Sequence, residues 1–243
     1  MIALTRWLRA QKYERSFWTN LATEIEADTR HQLDWYKWKA SQLETRLEKY
    51  MDGQEIKPAR ILEIGSGPIG IVNFLGLGES IAIDPLEDFY KQNPTLSRLR
   101  RPGVTYLKGT GESLPFYDGF FSLVIIDNVI DHALAPEAIL QQIYRVLREN
   151  GLLYFTVNVR TKWGTRLHKL LALLSIDKGH PHSFTQTSAH QLLRANKFRI
   201  CGEDTEDYYK IKKESRKSKS VKEKLKGYTG MCEFQYFVVA TKC

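Results

Sequence analysis

The stretch Arg60–Gly70, which reads RILEIGSGPIG, decides the fold of this chain. An apolar, strand-like run that carries Glu63 leads directly into a turn with glycines at positions 65, 67 and 70. Glycine adopts positive φ angles without strain and, because it lacks a Cβ atom, lets a ligand approach the backbone closely. A strand that ends in such a turn is typical of α/β domains that bind a nucleoside cofactor.

The spacing of these glycines leaves more than one interpretation open. The pattern G-x-G-x-x-G also fits a dinucleotide-binding fold, and an acidic residue, Asp84, ends the next apolar run, Ser80–Asp84. A tight strand-to-helix turn that binds nothing is the third interpretation. The turn alone therefore predicts an α/β unit, and its ligand has to be inferred from residues further along the chain.

Length and composition indicate one α/β domain with additions. The chain has 243 residues, of which 42% are apolar, enough for a sizeable core. No run approaches the ~20 apolar residues that span a bilayer. The first residues, MIALTRWLRAQKYERSF, alternate charged and aromatic side chains, unlike a signal peptide. We therefore expect a cytoplasmic protein.

The cysteines and histidines do not follow a metal-binding pattern. Cys201, Cys232 and Cys243 contain no C-x-x-C pair, and their odd number predicts reduced thiols rather than a closed disulfide framework. The histidines show no H-E-x-x-H motif, and the nearest pair, His180 and His182, flanks a proline. The sequence therefore predicts no metal site.

Much of the net charge of +8 lies in one segment, Lys210–Lys226. Its lysines and one arginine alternate with serines around only two acidic residues, Glu214 and Glu223. This composition predicts a solvated, mobile insertion over residues 210–227, before the last strand. A binding strip for an acidic substrate, a nucleic acid or an anionic membrane is the alternative. The absence of aromatic residues from the segment disfavours single-stranded nucleic acid.

Residues 1–57 are predicted to form a helical cap or lid. Apolar and aromatic residues recur here at helical spacing, which predicts two or three amphipathic helices. Four of the five tryptophans lie in this part of the chain. Trp35, Tyr36 and Trp38 are candidates for a lid over a pocket, because aromatic faces attract cations. The alternative is that these side chains belong to the core.

Residues 58–243 are predicted to form one α/β domain. Helical segments such as 136–147 separate the predicted strands, and such alternation indicates a parallel sheet covered on both faces. A helix at 188–196 precedes the last two strands, which the basic segment separates and which are candidates for antiparallel pairing. The predicted strands cover residues 60–64, 80–84, 104–108, 122–127, 151–158, 198–203 and 233–241.

Three later phrases resemble a known family. They are GTGESLPFYDGFF (109–121), SLVIIDNVIDHALAP (122–136) and QQIYRVLRENGLLYFTV (141–157). In this order they are similar to the class I S-adenosylmethionine (SAM) dependent methyltransferases, in particular to their ubiquinone-biosynthesis and small-molecule branch, over about residues 58–200. The resemblance implies a Rossmann-like seven-stranded, mostly parallel sheet with an antiparallel last strand, helices on both faces and an N-terminal helical extension. It also implies SAM as the cofactor, across the carboxyl ends of strands one, two and four.

The resemblance further implies a set of cofactor-binding residues. Asp84 is suited to accept both ribose hydroxyls with its two oxygens, and Asp127 and Asn128 lie where the family places groups near the transferring methyl. This chain departs from the family at Thr110, where an acidic residue commonly contacts adenine, and at Ile69, where a further glycine is common. The implied cofactor residues are Glu63, Gly65, Ser66, Gly67, Asp84, Pro85, Thr110, Gly111, Glu112, Asp127 and Asn128.

The methyl group of a sulfonium is electrophilic, so a hydroxyl acceptor would need a general base to remove its proton. His132, His180 and His182 are candidates, since imidazole titrates near neutral pH. In relatives the loop that contains His182 borders the acceptor pocket, so His182 is predicted to be the base and His132 to support the site. The predicted reaction is methyl transfer to a hydroxyl, or with less support to nitrogen or carbon, of a small molecule or a lipid- or sugar-linked acceptor.

Three other functions stay open. A nicotinamide-dependent oxidoreductase is suggested by two Y-x-x-x-K matches, Tyr208–Lys212 and Tyr209–Lys213, although both lie at the lysine-rich segment. An RNA methyltransferase would use that segment, but residues 127–130 read DNVI rather than the [DN]-P-P-[FY] of enzymes that methylate adenine amines. A non-catalytic SAM-fold binding protein is the third, because fold does not imply function. Peripheral contact with a membrane is compatible with each of them.

Overall fold

The computed structural model describes residues 2–28, 34–50, 60–76, 78–173 and 181–242. The helices are α1 (Ile2–Ala27), α2 (Asp34–Tyr50), α3 (Glu87–Gln92), α4 (Pro94–Ser97), α5 (Pro136–Val146), α6 (Lys162–Leu173), α7 (Gln186–Ala195), α8 (Tyr208–Lys217) and α9 (Val221–Thr229). The strands are β1 (Arg60–Ile64), β2 (Glu79–Asp84), β3 (Val104–Lys108), β4 (Phe121–Asp127), β5 (Leu147–Val159), β6 (Phe198–Thr205) and β7 (Phe234–Lys242). A short 3₁₀ helix, Ile71–Asn73, follows the glycine turn.

The strands form one seven-stranded sheet in the order β3-β2-β1-β4-β5-β7-β6. The first five strands in this order run parallel, and β7 lies antiparallel between β5 and β6. This is the Rossmann-like sheet that the resemblance implies, with the antiparallel pairing of the last two strands. The strand order reverses beside β1, so the carboxyl ends of β1, β2 and β4 lie next to each other and border a crevice.

The inner strands of the sheet are buried on both faces, which explains why β1, β4 and most of β5 are nearly continuous apolar runs. The first six residues of β4 are all buried. On one face, α5 and α7 pack onto the sheet through side chains such as Ile139 and Leu193. On the other face, α1 to α4 cover it, with Trp18, Leu43 and Leu96 in the core. Helices therefore lie on both faces, as predicted.

The N-terminal residues form helices α1 and α2, in agreement with their helical periodicity. Both helices contribute buried side chains to the second core cluster, together with Ile61 of β1 and Leu152 of β5. The predicted boundary between cap and domain, between residues 57 and 58, falls within 51–59, outside the described residues. The division into two domains stays a prediction.

Residues 210–227, predicted to be a solvated, mobile insertion, are largely exposed but have regular secondary structure. This segment forms helices α8 and α9, which pack against each other as a hairpin. The side chain of Asp207 accepts from two amides of the first turn of α8, and Ser220 caps α9. Gly227 permits close contact between the helices, since a Cβ there would lie 2.8 Å from the amide nitrogen of Arg216. Helix caps and this close approach of the two helices, rather than apolar burial, stabilise the hairpin. The composition of the segment therefore does not reveal it.

In the part of the chain that the structure describes, no helix is long and apolar enough to cross a membrane. Cys201 and Cys232 are thiols rather than halves of a disulfide, and Cys243 lies outside the described residues. The cytoplasmic location stays a prediction.

Candidate active site

The glycine turn after β1 forms as the sequence predicts. Gly65, Gly67 and Gly70 have positive φ angles of 68°, 61° and 73°. The amide of Gly65 donates to the carbonyl of Ile83 at 2.8 Å. A Cβ atom at residue 65 would lie 2.3 Å from Cγ2 of Val129. Both the backbone angle and this close packing therefore require glycine at position 65.

Glu63 is buried beneath the turn and holds it in shape. Its carboxylate oxygens accept hydrogen bonds from the amides of Ile71 (3.0 Å) and Val72 (2.9 Å), the first residues of the 3₁₀ helix. Burial raises the pKa of Glu63 to about 7, although both amide hydrogen bonds oppose the shift. Glu63 also lines the cavity described below, but the backbone engages both of its oxygens.

Asp84, at the carboxyl end of β2, joins the glycine turn to the second strand. Its Oδ2 accepts from the amide of Gly67 (2.9 Å), and its Oδ1 accepts from the amide of Leu86 (2.8 Å). Burial raises the pKa of Asp84 to about 7, against the effect of these two hydrogen bonds. An ionised carboxylate has about four acceptor sites. Asp84 can therefore hold the turn and still accept hydrogen bonds from hydroxyl groups in the cavity.

Two side-chain hydrogen bonds hold the glycine turn at Pro68 and Ile69, where the sequence departs from the family pattern. Nε of Arg100 donates to the carbonyl of Pro68 (2.8 Å), and the hydroxyl of Tyr106 donates to the carbonyl of Ile69 (2.7 Å). Glu87 holds Arg100 through two hydrogen bonds of 2.7 and 2.6 Å. Ile69 is not among the residues with positive φ. The turn therefore keeps its shape without a glycine at position 69.

Asp127, at the end of β4, is the centre of a buried polar cluster. Its Oδ1 accepts from the hydroxyl of Thr156 (2.5 Å) and from Nε2 of Gln235 (3.4 Å). Its Oδ2 forms an ion pair with Nζ of Lys39, whose side chain is 10% exposed and comes from α2. The sequence did not reveal the role of Lys39, because nothing in the run DWYKWK distinguishes an inward lysine from one that faces solvent.

Asn128 lies beside this cluster in an unusual conformation. Its φ angle is 54°, in the left-handed region that asparagine tolerates better than most residues. Its amide donates to the carbonyl of Thr156 at 3.1 Å. Its side-chain Oδ1 is buried and has no hydrogen-bond partner among the described residues. Because an unsatisfied buried acceptor costs about 1–3 kcal/mol, Asn128 is suited to gain a partner when a ligand enters the cavity.

The segment after β3 lines the same cavity. It contributes Thr110, Gly111 and Glu112 to the lining. Oε1 of Glu112 accepts from the amides of Leu134 (2.9 Å) and Ala135 (3.3 Å). Ala135 is the N-cap of α5 and supplies no side-chain cap of its own. Glu112 therefore satisfies these amides and fixes the loop after β4 relative to β3.

All the cofactor residues implied by the resemblance line one cavity of about 410 Å³. This volume falls in the range of ~300–1,000 Å³ that is typical of small-molecule sites. The carboxyl ends of β1, β2 and β4 form one side of the cavity, and helices α1 and α2 form the other. The lining residues from these helices include Glu14, Phe17, Trp18, Trp35, Tyr36 and Lys39.

Two aromatic residues from the N-terminal helices reach the glycine turn itself. A Cβ atom at Gly67 would lie 3.0 Å from Cζ2 of Trp18 and 3.1 Å from the hydroxyl of Tyr36. Burial, with further effects from nearby carboxylates, raises the pKa of Tyr36, so its hydroxyl stays protonated. Of the aromatic residues proposed for a lid, Trp35 and Tyr36 line the cavity, whereas Trp38 does not.

The histidine candidates differ in their positions. His132 lines the cavity, and its Nε2 lies 3.9 Å from Oδ2 of Asp131. His182 is not among the lining residues. Its amide donates to the carbonyl of Asp131 (3.1 Å), and its Nε2 lies 3.0 Å from the carbonyl oxygen of Ala133. His180 lies outside the described residues.

The motif of the rival oxidoreductase lies elsewhere in the fold. Tyr208, Tyr209, Lys212 and Lys213 all belong to α8, and none of them lines the cavity. The Y-x-x-x-K matches are therefore not combined with the glycine turn in one site. Within the described ranges, no group of three or more His, Cys, Asp or Glu residues could hold a metal ion.

Comparisons with known proteins agree with this fold. Residues 62–155 match the family model of a methyltransferase domain. An uncharacterized methyltransferase of Schizosaccharomyces pombe is 28% identical over 106 residues, which are 39% of this chain and 38% of that protein. The match thus spans well under half the length of this curated relative.

Solved structures show the same fold at low sequence identity. A candidate methyltransferase of Bacillus halodurans has a TM-score of 0.58 at 19% identity, over 82% of this chain and 99% of that one. The phosphoethanolamine N-methyltransferase 2 of Haemonchus contortus, in complex with phosphomonomethylethanolamine and S-adenosylhomocysteine, has a TM-score of 0.54 at 17% identity. That match covers 83% of this chain and 52% of the Haemonchus protein.

The sheet order is that of the class I SAM-dependent methyltransferase fold, and residues 62–155, which include the glycine turn, match the model of a methyltransferase domain. SAM is the cofactor of this family. The narrower resemblance to the ubiquinone-biosynthesis branch is not tested by these matches and stays a prediction.

The cavity fits such a cofactor on its own geometry. Gly65 and Gly67 line the cavity, and neither has a Cβ atom that would keep a ligand from the backbone. Asp84 retains acceptor capacity for two hydroxyls. The buried Oδ1 of Asn128, which has no hydrogen-bond partner among the described residues, would be satisfied by a donor such as an ammonium group.

Proposed function

We propose that this chain transfers a methyl group from SAM to a hydroxyl of a small molecule or of a lipid- or sugar-linked acceptor. One observation carries the proposal: the residues implied by the methyltransferase resemblance, from Glu63 to Asn128, line a single cavity at the carboxyl edge of the sheet. A candidate base lines the cavity, and a hydroxyl acceptor becomes a good nucleophile when a base removes its proton. Nitrogen and carbon acceptors have less support.

Each part of the cavity has a role in holding the cofactor. Asp84 would accept hydrogen bonds from the ribose hydroxyls, and the turn at Gly65–Gly67 would receive the amino acid part. Thr110 and Gly111 would border the adenine, and Asn128 would lie toward the methionine end. When bound, SAM supplies an electrophilic methyl on a sulfonium.

Helices α1 and α2 would separate this chemistry from water. Trp18 and Tyr36 are buried against the turn, and Trp35 covers Lys39, whose Nζ lies 4.4 Å from the centre of the Trp35 ring. Aromatic faces attract a sulfonium by about 0.5–2 kcal/mol. Excluding water also strengthens each electrostatic contact inside the cavity. The N-terminal helices would therefore act as the lid that the sequence suggested.

His132 is the base that the geometry favours. It lines the cavity with Asp127 and Asn128, at the end where the methyl would be. A proton taken from the acceptor would go to its imidazole, and Oδ2 of Asp131, 3.9 Å from Nε2, would stabilise the resulting charge. A positioned general base contributes about 10²–10⁴-fold to the rate.

His182 would position the loop rather than exchange a proton. Its two contacts, to the carbonyls of Asp131 and Ala133, flank His132 on either side. This order of roles is the reverse of the sequence-based prediction, in which His182 was the base and His132 the support. The two assignments predict different losses of kcat for variants of His132 and His182.

A methyl-transfer assay tests the proposal. The protein is incubated with methyl-labelled SAM and with separated small-molecule and lipid extracts, and products are identified by the mass gain of one CH₂ group. We expect an O-methylated product in wild-type reactions. His132→Asn should lower kcat by about 10²–10⁴-fold with the dissociation constant of S-adenosylhomocysteine nearly unchanged.

The control for the histidine experiment is His190→Asn. His190 lies on α7, is 40% exposed and does not line the cavity, so its variant should keep wild-type kcat. A larger loss of kcat in His182→Asn than in His132→Asn would indicate that His182, as the sequence predicted, is the general base. If the variant and wild-type proteins alike label no extract component although they bind S-adenosylhomocysteine, the chain is a non-catalytic binding protein and the proposal is wrong.

A further inference from the structure

The helical hairpin α8–α9 carries most of the net charge of the chain. Residues 208–229 include nine lysine and arginine residues and two glutamates, which gives this segment a net charge of +7. Lys226 is paired with Glu223 (3.0 Å) and Glu233 (3.6 Å). Most of the other basic side chains are exposed, including Lys213, Lys217, Lys219, Lys222 and Lys224.

The hairpin also exposes an apolar stripe. Val221, Leu225 and Tyr228 follow each other at spacings of four and three residues, so they share one face of α9. They are 81%, 62% and 69% exposed. Tyr209 on α8 is 80% exposed. Lys222 and Lys224 belong to the same helix, so cationic and apolar groups occur together on one surface.

This surface lies at the edge of the sheet where the cavity opens. β6 runs parallel to β5, since both pair antiparallel with β7. The hairpin connects the carboxyl end of β6 to the start of β7, so it lies at the same edge as the ends of β1 and β4. Nε1 of Trp163 on α6 donates to the carbonyl of Thr229 (3.0 Å) and joins the hairpin to the segment after β5. Trp163 is itself 62% exposed and extends the apolar surface.

From this arrangement we infer that the α8–α9 hairpin docks the protein onto an anionic membrane surface, with Val221, Leu225 and Tyr228 entering the lipid interface. Lysine-rich helices that present an aliphatic and aromatic face are the type of element that lies in the plane of a membrane. Anionic headgroups attract such clusters of lysine. Docking would place the carboxyl edge of the sheet, and with it the cavity, beside the lipid layer.

The apolar stripe favours a membrane over a nucleic acid. Lysines alone would suit phosphates of either partner, because both contacts are electrostatic. Val221 and Leu225 gain nothing from a phosphate backbone and cannot stack on bases, whereas both lose contact with water when they enter a lipid interface. The docking surface is separate from the cavity lining and does not depend on methyl transfer.

Vesicle sedimentation tests this inference. Wild-type protein is mixed with vesicles of phosphatidylcholine alone and of phosphatidylcholine with about one third phosphatidylglycerol, at low and high salt. We expect binding to the anionic vesicles that weakens with salt, and little binding to the neutral ones. Val221→Ser/Leu225→Ser and Lys222→Glu/Lys224→Glu should each weaken binding at least tenfold, with S-adenosylhomocysteine affinity unchanged.

The matched control is Lys91→Glu/Arg148→Glu, which removes two exposed basic residues far from the hairpin in sequence. It makes the same change in net charge as Lys222→Glu/Lys224→Glu and should retain most of the vesicle binding. The inference is overturned if wild-type protein binds neither vesicle, if both pairs of charge reversals act equally, or if Val221→Ser/Leu225→Ser binds like wild type. Tighter binding to single-stranded or duplex RNA than to anionic vesicles, with the serine variant unaffected, would assign the surface to nucleic acid instead.

Discussion

Lys39 of α2 and Asp127 of β4 form a buried ion pair that joins the N-terminal helices to the floor of the cavity. Nζ of Lys39 also lies 4.4 Å from the centre of the Trp35 ring, so the same ammonium group connects the aromatic wall to the sheet. Thr156 and Gln235 bind the other oxygen of Asp127. The pair therefore links α2, β4, β5 and β7 at one point.

Lys39→Met should destabilise the protein strongly, because it leaves the Asp127 carboxylate buried without its cation. Removing one partner of a buried pair typically costs about 3–5 kcal/mol of the free energy of unfolding. Urea unfolding followed by circular dichroism measures this loss. Lys37→Met is the control, since Lys37 is exposed on the same helix. Lys39→Met/Asp127→Asn should recover part of the loss, and equal stability of the two lysine variants would contradict the role of the pair.

Asp84→Asn should weaken the binding of S-adenosylhomocysteine by roughly 10–100-fold. The reason is that a hydrogen bond to a charged acceptor contributes about 1.5–3 kcal/mol, which the neutral amide does not supply. Calorimetry with both proteins gives the two dissociation constants. Asp88→Asn serves as the control, because Asp88 is 62% exposed and pairs with Lys108 on the surface. If the two variants bind alike, Asp84 does not hold the ribose.

Gly67→Ala should lower both stability and cofactor affinity. The residue has a φ of 61°, and the new methyl group would meet Trp18 at 3.0 Å and Tyr36 at 3.1 Å. Gly103→Ala imposes a positive φ of 97° but has no atom within 4 Å of the added methyl. Thermal unfolding should show a loss in both variants, larger for Gly67→Ala. Only Gly67→Ala should change the affinity for S-adenosylhomocysteine, and an effect of similar size in Gly103→Ala would contradict contact at the turn.

The stability of the ligand-free protein should fall between pH 5 and pH 7. Burial raises the pKa of Glu63 to about 7, whereas an unfolded glutamate titrates near ~4.3. In this window the folded state binds more protons, so the free energy of unfolding decreases as pH rises. The expected contribution of Glu63 is on the order of 2–3 kcal/mol. Asp84, whose pKa is also raised by burial to about 7, acts in the same direction.

The Glu63→Gln variant isolates this effect. It removes two charge-assisted amide contacts and should be less stable overall, yet its stability should depend less on pH than that of wild type. Glu44→Gln, an exposed substitution on α2, should keep the wild-type pH dependence. An unchanged slope in Glu63→Gln, measured by urea unfolding from pH 5 to pH 8, would contradict the raised pKa.

Features set by local residue order could be predicted from the sequence. The run at 60–70 specified a strand and a turn, and the glycines there adopt the positive φ angles that this turn needs. The apolar runs specified the strands of the sheet, and the resemblance specified which residues would share one cavity. These features depend on a residue and its near neighbours, or on a family pattern.

Features set by contacts between distant segments could not be predicted. The ion pair of Lys39 spans 88 residues of sequence and required the path of α2 over the sheet. The position of His132 inside the cavity, with His182 outside its lining, depends on the loop after β4. The hairpin was missed because its lysine-rich composition resembles disordered segments, whereas Asp207, Ser220 and Gly227 give it a fixed shape.

Isothermal titration of the full chain with S-adenosylhomocysteine measures whether a nucleoside cofactor binds in the 410 Å³ cavity beside Asp84. We expect a single binding event of 1:1 stoichiometry, with a dissociation constant in the micromolar range, that Asp84→Asn weakens. No heat at millimolar ligand, on protein whose folded state is verified by circular dichroism, would contradict it.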